Sequence, residues 1–203
     1  TYMGSSIFGN CSSLTDILID ESNEKYSSVD GVLFNKAETK LLSCPAGRTG
    51  QFQVPEDVFT IDTGAFKGCS GLTDIKLPED LRTVGYRAFS GCSGLTGIEL
   101  PDTITSLGGY AFENCSTLTG LELPEKITGI AEGTFSGCNN LTGIKLPDGV
   151  TGIGNYAFLD CGSLTSIELP KELTSIGAYA FSGCNNLVIL CEENSYAHTY
   201  AAT

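Results

Sequence analysis

Nine cysteines stand in this chain of 203 residues, and seven share one register. Cys11, Cys69, Cys92, Cys115, Cys138, Cys161 and Cys184 each follow a phenylalanine by three residues, as in "AFSGC" at Ala88–Cys92. Thiols repeated so regularly have four possible chemistries: metal ligand, disulfide partner, nucleophile or apolar filler. Zinc needs about four ligands converging on one point, and one cysteine per turn gives a line. A disulfide needs Cβ atoms about 3.5–4.5 Å apart with a twisted bridge, whereas parallel Cβ vectors on stacked strands lie about 4.8 Å apart. An odd total also leaves one thiol unpaired. A nucleophile needs a base nearby, and the single histidine, His198, is near the C-terminus. Cysteine is among the most buried residue types and packs as a small hydrophobe. The column is therefore expected to be core, with Cys44 and Cys191 outside its register. No metal, cofactor or catalytic residue is expected, and no enzyme.

The elements that place this column follow from a period of 23 residues. It separates Phe66, Phe89, Phe112, Phe135, Phe158 and Phe181, and equally Pro55, Pro78, Pro101, Pro124, Pro147 and Pro170. The unit reads F-x-x-C-x-x-L-x-x-I-x-L-P-x-x-I-x-x-I-G-x-x-A. One copy departs from it, with Ala131 for the glycine and Thr134 for the alanine. A repeat of this length carrying an L-x-x-I-x-L strand predicts a leucine-rich repeat solenoid. No turn can bury its apolar residues alone, but stacked turns share one core. The fold expected is a mostly β, or α/β, right-handed solenoid with a parallel concave sheet. Proline ends each strand because it has no N–H for the ladder. Gly85, Gly108, Gly154 and Gly177 are read as tight backbone turns. The chain is expected to be one domain. Residues 1–26 make a first turn and 27–42 an inserted β-hairpin, with "VLF" and "KLLS" around a polar turn. Residues 43–65 form a degenerate turn, 66–180 five regular turns, and 181–203 the last turn with a helical cap, "SYAHTYAAT".

Composition narrows the function. Acids outnumber Lys and Arg 24 to 11, a formal net charge of −13. That excess opposes nucleic acid, whose phosphates require clustered cations, and an anionic membrane surface. The apolar run "LVILC" is too short to span a bilayer. "TYMGSSIFGN" does not read as a signal peptide.

The unit "LTSIGAYAFSGCNNL" and the strand "LTSIELP" resemble the BspA-type (Treponema-type) bacterial leucine-rich repeats. "YSSVDGVLFNKAETKLLSCPAG" is similar to an insertion frequent in that family, and "SYAHTYAAT" to the start of its terminal helix. The resemblance implies a secreted or surface-attached protein and, from several family members, adhesion to host proteins or other microbes. It carries no catalytic residues.

Stacking turns each repeat position into a column. Lys76, Glu99, Glu122, Lys145 and Glu168 lie mid-strand, facing away from the core. They read either as a self-satisfied charge ladder, Lys76 with Glu99 and Lys145 with Glu122 and Glu168, or as part of a ligand footprint. Glu56, Glu79, Asp102, Glu125 and Asp148 follow the prolines. They read as turn residues, with calcium or a basic partner as the alternative. Thr15, Thr73, Thr96, Thr119, Thr142 and Thr165 read as strand formers. Tyr110, Tyr156 and Tyr179 are expected on the outer side, and His198 on an exposed helix. The glycosylation-type triplets at Asn10, Asn114 and Asn140 read as chance matches. The leading expectation is a monomeric binding module for a protein or glycan, on a host or microbial surface, through the concave column. The alternative is a structural spacer in a larger surface protein.

Overall fold

A computed structural model describes residues 4, 7–9 and 11–201. Asn10, the first residue of its triplet, and the last two residues of "SYAHTYAAT" lie outside the described residues. The chain forms a β-solenoid of stacked turns of about 23 residues. The L-x-x-I-x-L segments supply one row of parallel strands: β4 (Thr49–Gln53), β6 (Gly71–Lys76), β8 (Gly120–Glu122), β10 (Gly143–Lys145), β12 (Ser166–Glu168) and β14 (Val188–Leu190). A second row comes from the aliphatic pair after each proline: β5 (Thr60–Ile61), β7 (Thr83–Val84), β9 (Gly129–Ile130), β11 (Gly152–Ile153) and β13 (Ser175–Ile176). The 23-residue spacing sets the register, with Ile144 beside Leu121 and Ile153 beside Ile130. Alternation along each strand sends Leu121, Ile144 and Ile167 into the core and their neighbours to solvent.

The third side has no regular strand, yet it is the most continuously bonded. Phe66, Phe89, Phe112, Phe135 and Phe158 each donate an N–H to the residue before the next phenylalanine, at 2.8–2.9 Å. Behind these bonds the rings stack from Phe66 to Phe181, with centroids 5.2–5.8 Å apart. Phe66 through Phe158 are fully buried.

The insertion is larger than a hairpin. β1 (Tyr26–Val29) and β2 (Val32–Asn35) pair antiparallel around Asp30-Gly31, both at positive φ, the two-residue turn that matches strand twist. β2 then pairs antiparallel with β3 (Lys40–Ser43), and β3 runs parallel to β5. The insertion thus leads straight into the second row. At the far end α1 (Tyr196–Ala201) buries Ala197 and brings Tyr200 to 6.5 Å from the Phe181 ring, while the outer edge of β14 stays open. The helix covers the phenylalanine side only. His198 is exposed, with its Nδ1 accepting from the Asn194 N–H.

The repeat glycines serve a different purpose from the one expected. Gly85 and Gly154 do not have positive φ. A Cβ on Gly85 would sit 2.7 Å from the Asp62 carbonyl carbon, and one on Gly154 would sit 2.6 Å from the Glu132 nitrogen. Gly108 and Gly177 are as crowded. Close approach of successive turns, not turning, demands glycine there.

Ala131 shows what happens otherwise. Gly85, Gly108, Gly154 and Gly177 donate N–H bonds to Ile61, Val84, Ile130 and Ile153. Among the described residues Ala131 makes no such bond to Leu107, and the second row breaks there, between the Val84–Leu107 bridge and β9. A methyl at a position where the other turns approach this closely is expected to hold the two turns apart. Ala131→Gly should close the break and protect the residue 131 amide from hydrogen exchange at least tenfold. The regained bond, about 1 kcal/mol, is offset by the flexibility glycine adds to the unfolded chain, so global stability should move little. An amide that exchanges as fast as before would show that the methyl is not the wedge.

Candidate functional site

The cysteine column lies in the core, as the chemistry of the repeat implies. Cys44 and Cys69 through Cys184 are buried, and all nine thiols are free. They do more than fill space. The Sγ of Cys92, Cys115, Cys138, Cys161 and Cys184 donates to the carbonyl of Phe66, Phe89, Phe112, Phe135 and Phe158, at 3.1–3.2 Å. The same carbonyls accept the N–H of Cys69, Cys92, Cys115, Cys138 and Cys161. Both lone pairs of a buried carbonyl are thereby used, which removes an unmet polar group from the core. Burial pushes the Cys92 and Cys115 thiols well up and Cys138 to about 12, the opposite of an activated nucleophile. Cys11 departs from expectation and is exposed. Among the described residues no group of three or more His, Cys, Asp or Glu is placed to hold a metal, and no helix is long and apolar enough to cross a membrane.

The post-proline acids occupy turns. The carbonyls of Pro55, Pro78, Pro101, Pro124, Pro147 and Pro170 each accept an N–H from three residues on. This places Glu56, Glu79, Asp102, Glu125 and Asp148 second in β-turns, exposed. Thr73, Thr119 and Thr142 donate their hydroxyls to the turn before, at 3.0–3.5 Å, a structural role.

The strand face carries the charge column. Lys76, Glu99, Glu122, Lys145 and Glu168 are all exposed on this side. The ladder pairs expected among them do not form. Lys145 reaches instead to Glu125 at 3.8 Å, with both side chains largely in water. Lys76, Glu99, Glu122 and Glu168 have no ion pair among the described residues. The sheet is also interrupted. β4 pairs only with β6, and β8 begins a separate sheet running to β14. Between them Gly97–Glu99 holds a strand position without ladder pairing. The cause lies one turn earlier. The degenerate turn shifts register between Gly50 and Gln51, leaving Thr73 as an extra residue in β6. A bulge of this kind bends and twists its strand, and the ladder is not resumed between β6 and the next turn. Over this part of the strand face lies a cleft of about 790 Å³ lined by Asp74, Lys76, Glu79, Glu99 and Asp102 among others. A second cleft, about 600 Å³, follows between Glu99, Glu122 and Lys145.

The outer side carries a cluster that sequence reasoning missed. Arg87 packs over the Tyr110 ring at 4.8 Å and the Tyr86 ring at 5.5 Å and pairs with Glu113 at 3.2 Å. Arg87, Tyr110, Tyr156 and Tyr179 all have positive φ. Gly64 and Gly133 at the same repeat position were the available signal. Tyr156 and Tyr179 stack at 5.6 Å. Tyr110 donates to Glu132 at 2.8 Å, and that bond raises its phenol to about 12.

A column of stacked phenylalanines, thiol-capped carbonyls and two rows of short parallel strands define a leucine-rich repeat solenoid. The chain belongs to the BspA type leucine rich repeat family: six copies of the family's repeat match residues 46–139 and 117–198. It is similar to a leucine-rich cell surface protein from Faecalibacterium prausnitzii, with 30% identity and a TM-score of 0.67 over 98% of this chain and 47% of that one. A leucine-rich repeat protein of T. pallidum is 31% identical, TM-score 0.71, over 85% of this chain and 82% of that one. One from Eubacterium ventriosum is 26% identical, TM-score 0.69, over 89% and 55%. The chain thus spans about half the length of the Faecalibacterium protein. No curated protein sequence matches it closely enough to count as a relative. The family and its surface neighbours make the chain a repeat module for binding or structure, on a fold that is generally non-catalytic.

Proposed function

We propose that this chain is a non-catalytic binding module, secreted or held at a cell surface, that recognises a protein or glycan through the strand face. The observation that carries the reading is the column Lys76, Glu99, Glu122 and Glu168. Lys76, Glu99 and Glu122 stand exposed beside the two clefts and Glu168 beside another, none with an ionic partner among the described residues. Charges that do not satisfy one another are free to meet a complementary surface. The surface location is supported by the Faecalibacterium neighbour, described as a cell surface protein.

The test compares three proteins for adhesion to immobilised host-cell and bacterial surfaces. They are the parent, the triple variant Glu99→Lys, Glu122→Lys, Glu168→Lys, and a control with Glu79, Asp102 and Glu125 changed to lysine. Both variants should fold, since exposed substitutions change stability by about 0.5 kcal/mol or less. The strand-face variant should lose at least tenfold in binding and the control far less. The reverse order would move the footprint to the proline turns. A parent that adheres to none of these surfaces would favour the spacer role, a stalk holding other domains away from the cell.

A further inference from the structure

We infer that the outer edge of β14 pairs with the same edge of a second copy of this chain, antiparallel about Ile189, joining two solenoids through one continuous sheet. The inference is independent of what the strand face binds, and it departs from the monomer expected from the sequence.

Three observations carry it. The first is main-chain bonding capacity. β14 ends its sheet, pairing only with β12 among the described residues. Val188 donates to the Thr165 carbonyl, and the Leu190 carbonyl accepts from Leu169. Both residues therefore turn their polar groups towards β12. Successive residues of a parallel strand alternate between the two sides, so the N–H and C=O of Ile189 point away from the sheet. The described chain that follows does not return to this edge. α1 packs on the phenylalanine side, burying Ala197 and bringing Tyr200 to 6.5 Å from the Phe181 ring. An unpaired edge is a template for another strand.

The second is the loss of a charge where an edge needs one. Lys76, Glu122, Lys145 and Glu168 stand exposed on the earlier strands of the row. By spacing Cys191 is next in their column, but the ladder sets Leu190 beside Glu168, one residue early. The slip leaves Val188 and Leu190 on the solvent side, 56% and 51% exposed. Charged side chains on an edge strand block edge-to-edge pairing, and this edge presents apolar ones.

The third is self-complementarity. A two-fold interface sets one residue against another and the second against the first. An antiparallel pair centred on Ile189 exchanges both Ile189 N–H···O=C bonds. It sets Val188 of each copy against Leu190 of the other, an apolar cross-strand pair made twice. The joined sheet runs through eight strands, β8, β10, β12 and β14 of each copy. So short a strand makes an interface small beside the roughly 1,200–2,000 Å² of stable complexes, so the dimer is weak and depends on concentration.

The test is sedimentation equilibrium of the whole chain from about 10 µM to about 1 mM, the range of a weak contact. The mean mass should rise from 21.3 kDa towards twice that, with slower exchange of the Ile189 amide at the high end. Leu190→Lys should weaken association at least tenfold, and it gives Glu168 an opposite charge alongside. Two double variants then differ only in sign. Val188→Glu with Leu190→Lys sets opposite charges face to face across the two-fold. Val188→Lys with Leu190→Lys sets like charges there and should associate at least tenfold more weakly. Circular dichroism and the urea midpoint of each dilute variant confirm that it is folded. A mass that stays at 21.3 kDa throughout overturns the proposal. A dimer that Leu190→Lys leaves unchanged, or one without slower Ile189 exchange, uses another surface and overturns it too. Equal association of the two double variants overturns the antiparallel register about Ile189.

Discussion

Raising the pH from 8 to 10 should remove about 4 kcal/mol of folding stability, because the solenoid holds the thiols of Cys92, Cys115 and Cys138 neutral. Burial raises Cys92 and Cys115 well above the ordinary value of 9.0, and Cys138 to about 12. The sign follows from proton binding. Below pH 8 these thiols are protonated both folded and unfolded, so stability is flat with respect to them. Above pH 9 the unfolded chain releases their protons and the folded chain does not. Stability then falls with rising pH by about 1.4 kcal/mol per thiol per pH unit. Three such thiols give about 4 kcal/mol at pH 10, a large share of a typical 5–15 kcal/mol. Urea midpoints measured at intervals from pH 7 to 11 read this directly. Cys115→Ala separates it from tyrosine ionisation. That variant loses the bond to the Phe89 carbonyl, about 1 kcal/mol at neutral pH, and its stability should fall with pH by one proton equivalent less. A slope unchanged in Cys115→Ala would mean that thiols are not what the fold keeps protonated.

The architecture was legible because repetition multiplies a weak signal. A single F-x-x-C says little, but six in step fix the turn length, the core residues and the register. What the thiols bond to was not legible. The acceptor of Cys115 is Phe89, 26 residues back, and only the stacked geometry brings the pair together. The same limit applies to the strand face. Its five charged residues could be placed on one column from spacing alone. Whether neighbours pair was not legible from it: Lys145 and Glu122 sit side by side on paired strands, yet Lys145 turns to Glu125. The departures from the consensus carried more structural information than the consensus did. Ala131 marks the break in the second row, and the irregular segment before Phe66 marks the break in the first.

Phe112→Ala should cost about 3–5 kcal/mol, the range for removing a fully buried aromatic side chain. Phe112 is completely inaccessible and lies between Phe89 and Phe135, with centroids at 5.2 and 5.8 Å. Two stacking contacts are lost together with the buried area, and each aromatic pair adds about 0.5–1.5 kcal/mol beyond burial. The hole does not collapse easily. The flanking turns are held by main-chain bonds from Phe89 to Ala111 and from Phe112 to Thr134, so the cavity term applies nearly in full. The damage should also spread. In a solenoid each turn contacts only its neighbours, so a weak turn divides the stack into two units. Both strand rows are already interrupted near this turn, at Gly97–Glu99 and between Leu107 and Ile130. What ties the two halves together there is the phenylalanine side and the bonds from Thr117 and Thr119 to Ser93, Leu95 and Thr96. Phe112→Ala should therefore convert one cooperative urea transition into two, whereas Phe181→Ala, at the half-buried end of the stack, should cost less and keep one. Tyrosine fluorescence and far-ultraviolet circular dichroism followed on the same samples make the distinction. Coincident single transitions for Phe112→Ala would show that the two halves are coupled through contacts other than this ring.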